Sequence, residues 1–135
     1  MGQAKVILLD THVVLWLMTT SEKLSSKAKS TIQSARKNAE VLAISGITPL
    51  EFATLASKSR IELDISFESF LQEVESRFAV LPITARACAR MMELPANYPN
   101  DPADRIIGAT ALVEGLSLIT ADSEIRRSKA IQTIW

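Results

Sequence analysis

Asp10, Glu51, Asp104 and Asp122 stand out from the rest of this chain by where they fall in it. Asp10 closes the apolar run Val6-Ile7-Leu8-Leu9 and is followed at once by Thr11, His12 and Val13-Val14-Leu15-Trp16-Leu17. A continuous apolar run of that length reads as a strand buried on both faces, hence central in a parallel sheet. An acid at its carboxyl end faces the crevice where open α/β sheets bind ligands. The other three acids occupy comparable points where one element gives way to the next. Carboxylates with few basic neighbours in sequence suit a hard, oxygen-preferring cation such as magnesium or manganese. Each acid also has a local structural reading. Asp10 could cap the helix after it, and Asp122 could be a turn residue. Glu51 and Asp104 sit in first helical turns, where a carboxylate gains roughly 0.3–1 kcal/mol from the helix dipole. Asp101 reads as the N-cap that orients its helix and Asp104 as the acid facing the ion.

The elements that must position these acids alternate between strand and helix. Lys5–Leu9, Val41–Ser45, Phe78–Leu81, Leu116–Thr120 and an edge segment Ile131–Trp135 read as strands. Thr11–Met18, Ser25–Glu40, Ser66–Arg77 and Thr84–Leu94 read as helices, the third with Phe67, Phe70, Leu71 and Val74 along one face. In Thr48-Pro49-Leu50-Glu51 the threonine reads as N-cap, the proline as first helical residue and the glutamate as the third. A further helix runs from Asp101 to Glu114 and is stopped by Gly115. Strands with intervening helices predict an α/β fold, one open, doubly wound sheet.

Composition narrows the function classes. The 135 residues fit a single domain spanning 1–135, and 47% hydrophobic content supports a substantial core. A net charge of zero gives no basic field, so any nucleic-acid binding must come from local patches or from metal. The single Cys88 excludes an internal disulfide and reads as a small packed residue. No stretch has the apolar length of a membrane span and no signal-peptide pattern opens the chain, so a cytoplasmic location is expected.

Four segments together resemble the motifs of the PIN domain, and more narrowly those of VapC-type toxins of bacterial toxin–antitoxin pairs. They are Leu9-Asp10-Thr11-His12, Pro49-Leu50-Glu51-Phe52, Asp101-Pro102-Ala103-Asp104-Arg105-Ile106-Ile107 and Leu118-Ile119-Thr120-Ala121-Asp122. The match covers nearly the whole chain in the family's order. It implies a Rossmann-like PIN fold with a five-stranded parallel sheet, and magnesium- or manganese-dependent endoribonuclease activity. The family's acidic quartet falls on Asp10, Glu51, Asp104 and Asp122, and its polar positions on Thr11 and Thr120. Ala103 stands where a bulky aromatic is usual and Asn100 where histidine is frequent, which bears on substrate fit but removes no carboxylate. The resemblance further implies a homodimer and inhibition by a small cognate antitoxin. Phe67, Phe70, Met91 and Met92 are candidates for the groove that receives it.

Phosphodiester hydrolysis places negative charge on attacking, leaving and non-bridging oxygens, which divalent ions offset while lowering the pKa of bound water. Asp10 and Asp104 are expected to bind Mg²⁺ directly, with Mn²⁺ as a substitute, and Glu51 and Asp122 through water or a second ion. His12 is the only histidine, so a two-histidine ribonuclease mechanism is excluded and a zinc site disfavoured. Thr11, Arg105, Thr120 and Arg126 are candidate substrate contacts, with Arg127 and Lys129 close behind Asp122. Arg105 could equally pair with a carboxylate, and the basic tail could be an ordinary solvated helix end. Trp16 and Trp135 read as core or subunit-contact residues. Two rival readings are another magnesium-dependent phosphoryl-transfer enzyme and a non-catalytic PIN-like interaction module. A haloacid dehalogenase-type phosphatase would need a second Asp two residues after Asp10, where His12 stands. A receiver domain would need an acidic pair before the first helix, which is also missing.

Overall fold

The computed structural model describes residues 5–135. In chain order the elements are β1 (Val6–Leu9), α1 (Thr11–Thr19), α2 (Ser26–Lys37), β2 (Val41–Ser45), α3 (Ile47–Ser57), α4 (Phe67–Arg77) and β3 (Ala79–Leu81). They continue with α5 (Ala85–Arg90), α6 (Pro102–Glu114), β4 (Ser117–Ile119), α7 (Ser123–Ser128) and β5 (Thr133–Ile134). The strands form one five-stranded sheet in the order β3-β2-β1-β4-β5. Every neighbouring pair is parallel. This is the expected open parallel sheet, with the apolar run before Asp10 at its centre.

Side chains of β1 alternate between two apolar layers, as the two-residue period of a strand requires. Ile7 and Leu9 join Leu42, Ile44 and Ile119 on one face, under Val13 and Val14 of α1, Ile32 of α2 and Val74 of α4. Leu8 points the other way with Ala43 and Leu118, against Ile107 and Ala111 of α6 and Ile125 of α7. Both faces of the sheet are therefore covered by helices. Burying an isoleucine or leucine there contributes on the order of 2 kcal/mol per side chain. Trp16 and Trp135 lie 6.0 Å apart between ring centres and pack, partly buried, on the first layer. No helix among the described residues is long and apolar enough to cross a membrane.

The winding places a switch point beside β1. The chain builds β2 and β3 on one side of β1, then crosses to build β4 and β5 on the other. The carboxyl ends of β1 and β4 consequently lie side by side, and the Asp10 N–H donates to the Ile119 carbonyl at 3.0 Å. Crevices at such points are where open α/β sheets take ligands.

Several local expectations are corrected. Helix α3 starts at Ile47 with Gly46 as N-cap, so Thr48 is not a cap but a buried residue of the first turn. The helix expected to reach Leu94 stops at Arg90 and tightens into a 3₁₀ turn, Met91–Glu93. Helix α7, Ser123–Ser128, gives the basic residues after Asp122 the helix end that was one of their two readings, with a start the sequence did not mark. Asp122 caps it, with one carboxyl oxygen accepting from the Glu124 and Ile125 N–H groups. Cys88 is exposed rather than packed, because the short α5 turns Ala87 inward instead. Gly115 ends α6 in the left-handed conformation (φ 66°), as its position suggested. The four residues proposed to line one groove do not share a surface. Phe70 is buried edge-on against Phe52, with Phe67 stacked on it, whereas Met91 packs with Ala87 and Ile106 and Met92 points to solvent.

Candidate functional site

Asp10 leaves the end of β1 and is only 6% exposed. Its Oδ1 accepts from the Thr11 N–H at 2.9 Å and its Oδ2 from the Thr120 hydroxyl at 2.8 Å. Burial nonetheless pushes the Asp10 carboxyl above the usual range, opposing both hydrogen bonds and the nearby His12. The first bond makes Asp10 a helix cap; the second reaches across the sheet switch to β4. Structural and chemical readings of this residue therefore coexist.

Glu51 projects from α3 toward the same place. The Thr11 hydroxyl donates to its Oε1, and the Thr48 hydroxyl lies 3.0 Å from that of Thr11. Burial raises the Glu51 carboxyl; the Thr11 bond opposes this, and the charges of Asp10 and Asp101 add to it. One residue, Thr11, thus serves two acids, its backbone holding Asp10 and its side chain Glu51.

Asp104 sits in the first turn of α6, whose N-cap is Asp101, with Oδ1 accepting from the Ala103 N–H at 2.9 Å. No donor among the described residues engages the Asp104 carboxyl. Its pKa is pushed up to about 7, first by burial and then by Asp10, Asp101, Glu51 and Asp122. The backbone around it is fixed from behind. The Tyr98 hydroxyl donates to the Asp104 carbonyl at 2.8 Å, and burial pushes that phenol up. The Arg105 guanidinium donates to the carbonyls of Pro99 and Met91 and lies over the Tyr98 ring. Tyr98 was not singled out in the sequence, where no motif marks it.

The other three expected acids, and Asp101 with them, lie near enough to Asp104 for their charges to act on its carboxyl. Asp104 feels the charges of Asp10, Asp101, Glu51 and Asp122, Glu51 those of Asp10 and Asp101, and Asp10 that of Asp122. No lysine or arginine among the described residues pairs with them, and His12 is the one positive influence on Asp10 and Glu51. The only ion pairs among the described residues, Arg77–Glu73 and Arg90–Glu93, are exposed and elsewhere. A crowded, half-buried set of oxygen donors lacking a protein cation fits a hard divalent ion. No three His, Cys, Asp or Glu side chains among the described residues are already drawn into a coordination set.

The expected substrate contacts divide. Thr11 and Thr120 are 1% and 0% exposed, and their hydroxyls are committed to Glu51 and Asp10, so both hold acids rather than face solvent. Arg105 is likewise committed, to a loop rather than to a carboxylate or a phosphate. Arg126 and Arg127 are exposed in the last turn of α7, the helix that Asp122 caps. Shape does not single out the crevice. A cavity of about 380 Å³ lies at the other end of α6, between Leu112, Gly115, Lys129 and Gln132, away from the acids.

Comparison with known proteins agrees with this geometry. The PIN domain family model matches residues 7–130. The chain is 37% identical over 131 residues to Ribonuclease VapC22 of Mycobacterium tuberculosis, covering 96% of this chain and 98% of that protein. Its fold is similar to a chain of VapBC2 from Rickettsia felis, crystallised with a DNA fragment from the promoter. That likeness has a TM-score of 0.72 at 19% identity and covers 95% and 96% of the two chains. DNA-bound VapBC from Salmonella typhimurium gives a TM-score of 0.70 at 23% identity, covering 97% of each. The family model over most of the chain and a relative at 37% identity both point the same way: this chain belongs to the PIN domain family, on its VapC branch.

Proposed function

We propose that this protein is a divalent-metal-dependent endoribonuclease, the toxin of a toxin–antitoxin pair, and that Asp10, Glu51, Asp104 and Asp122 form its metal-holding catalytic site. The observation that carries this reading is the convergence of carboxylates without a protein cation at the sheet switch point. Family membership gives that convergence a chemistry, since the relative at 37% identity is named a ribonuclease.

When bound, a divalent ion supplies charge neutralisation for the phosphodiester transition state and a more acidic water. Asp10 and Asp104 are the direct ligands, and Glu51 and Asp122 act through water or a second ion. Mg²⁺ is the natural metal and Mn²⁺ its substitute. Thr120 and the Thr11 N–H aim the two Asp10 oxygens. Asp122 is fixed through one oxygen by α7, leaving the other for the crevice. Arg126 and Arg127 extend the site toward an RNA backbone through exposed charge. The whole chain, 1–135, is one PIN domain acting in the cytoplasm as a homodimer. A cognate antitoxin restrains it, as the toxin–antitoxin complexes among its structural neighbours suggest.

The test is cleavage of a defined RNA by purified protein with Mg²⁺ or Mn²⁺, against the same reaction in excess chelator. Cleavage only with metal, leaving 5′-phosphate ends, is expected. Full activity in chelator, or 2′,3′-cyclic phosphate products, overturns the reading.

A further inference from the structure

Thr48 is completely buried, carries a hydroxyl, and is not the helix cap its sequence context suggested. Its Oγ1 lies 3.0 Å from Thr11 Oγ1, which itself donates to Glu51 Oε1. A threonine hydroxyl has one hydrogen to give. Thr11 spends that hydrogen on Glu51, so in the contact between the two threonines Thr48 must be the donor. The direction of the chain is thereby fixed: Thr48 to Thr11 to the Glu51 carboxylate.

We propose that Thr48 is a positioning residue for Glu51. By donating to Thr11 it prevents the Thr11 hydroxyl from spending its hydrogen on Thr48, and aims that single hydrogen at Oε1. Glu51 is held by one oxygen while Oε2 is left to face the metal site, a role that rests on the metal-dependent reading above. The spacing makes this possible. Thr48 and Glu51 are three residues apart on α3 and so lie on one face, opposite the first residue of α1. The Thr11 N–H also holds Asp10 Oδ1, so the same relay sets the separation of two metal-site acids, one at the junction of β1 with α1 and the other on α3. Partners behind a metal ligand commonly cost ten- to a hundredfold in affinity or activity when removed, on the order of the effect expected here.

The test compares Thr48→Val, which keeps the shape and removes the hydroxyl, with Thr48→Ser, which keeps the hydroxyl. Mn²⁺ affinity is measured by calorimetric titration in both, and in Glu51→Gln with and without Thr48→Val. Expected are affinity about tenfold weaker in Thr48→Val, recovery of most of it in Thr48→Ser, and no further loss when Thr48→Val is added to Glu51→Gln. Unchanged affinity in Thr48→Val, or an equal loss in the Glu51→Gln background, overturns the proposal. A metal-free crystal structure of Thr48→Val gives a readout independent of metal and nuclease activity: the Glu51 carboxylate should leave Thr11. If the Thr11–Glu51 bond stays in place, the positioning role is wrong even if the nuclease reading holds. If it breaks while wild type binds no Mn²⁺, the relay stands and the metal reading falls.

Discussion

The Thr120 hydroxyl donates to Oδ2 of Asp10 at 2.8 Å, bridging residues separated by 110 positions in sequence. It joins the carboxyl end of β4 to that of β1 at the switch point of the sheet. The same Thr120 oxygen accepts from the Asp122 N–H at 3.0 Å, so one side chain sets the relation between the first and last acids of the site.

Asp10→Asn or Asp104→Asn should abolish RNA cleavage while leaving the fold intact. Each change removes a charged oxygen ligand at nearly constant size. Asp10→Asn should also make the metal-free protein more stable, because it removes a buried charge, and its amide can still accept from Thr11 and donate to Thr120 Oγ1. Thermal melting without metal is the check. A melting point several degrees lower in Asp10→Asn would assign Asp10 chiefly to capping.

Metal-free stability should rise as the solution is acidified from about pH 8 to about pH 5. The carboxyls of Asp10, Glu51 and Asp104 are all raised above their ordinary values, Asp104 to about 7. A folded carboxyl with a raised pKa takes up a proton the unfolded chain leaves in solution. Its favourable contribution is therefore complete below the unfolded value and lost as pH climbs through the folded one. Melting curves across this range test the sign; a metal-free protein that loses stability between about pH 8 and about pH 6 contradicts the crowding of these acids.

Mn²⁺ should raise the melting temperature, and more so at about pH 8 than at about pH 5, where protons compete for the same oxygens. An ion that binds only the folded chain stabilises it by about 2.7 kcal/mol at roughly a hundred times Kd. A Mn²⁺ shift that survives unchanged in Asp104→Asn would remove that residue from the metal site.

Gly108→Ala should destabilise the protein despite alanine's better helix propensity. A Cβ at Gly108 would stand 2.2 Å from the Tyr98 hydroxyl oxygen and 2.7 Å from its Cζ. Tyr98 is 2% exposed and tied to the Asp104 carbonyl, so its ring has little room to retreat. Overpacking of this kind costs about 1–3 kcal/mol, exceeding the roughly 1 kcal/mol gained from propensity. Chemical denaturation decides it; an alanine variant more stable than wild type would mean that Tyr98 moves freely.

If the toxin reading holds, expression of this chain alone should inhibit growth, and co-expression with a small protein encoded beside it should relieve the inhibition and yield a co-purifying complex. The partner's ordered segment would offset its entropy cost with apolar anchors. A chain that is harmless alone at high expression, and that no neighbour binds, removes the toxin reading and leaves the nuclease reading to its own test.

The sequence by itself determined the sheet and singled out the acids proposed for the site. The apolar run from Val6 to Leu9 read as a strand covered on both faces and is one, and Asp10, Glu51, Asp104 and Asp122 lie at or just inside element ends that the hydrophobic pattern marks locally. Helix α7 was legible only as a solvated helix end around Arg126 and Arg127; its start was not, because the local reading of Asp122 was a turn, although a carboxylate capping two N–H groups starts a helix equally well. Thr48 was misread for a related reason. A threonine three residues before a glutamate has the spacing of a capping box, and the same spacing puts both side chains on one helix face. Only the approach of α1, which brings Thr11 against that face, separates the two outcomes. The same holds for Gly108 and Tyr98, and for Thr120 and Asp10. Spacing along a chain reports which residues share a local face, but which element packs on that face depends on how the strands are ordered in the sheet. Here that order placed β4 beside β1, and with it decided which hydroxyls hold the acids and which acids repel one another.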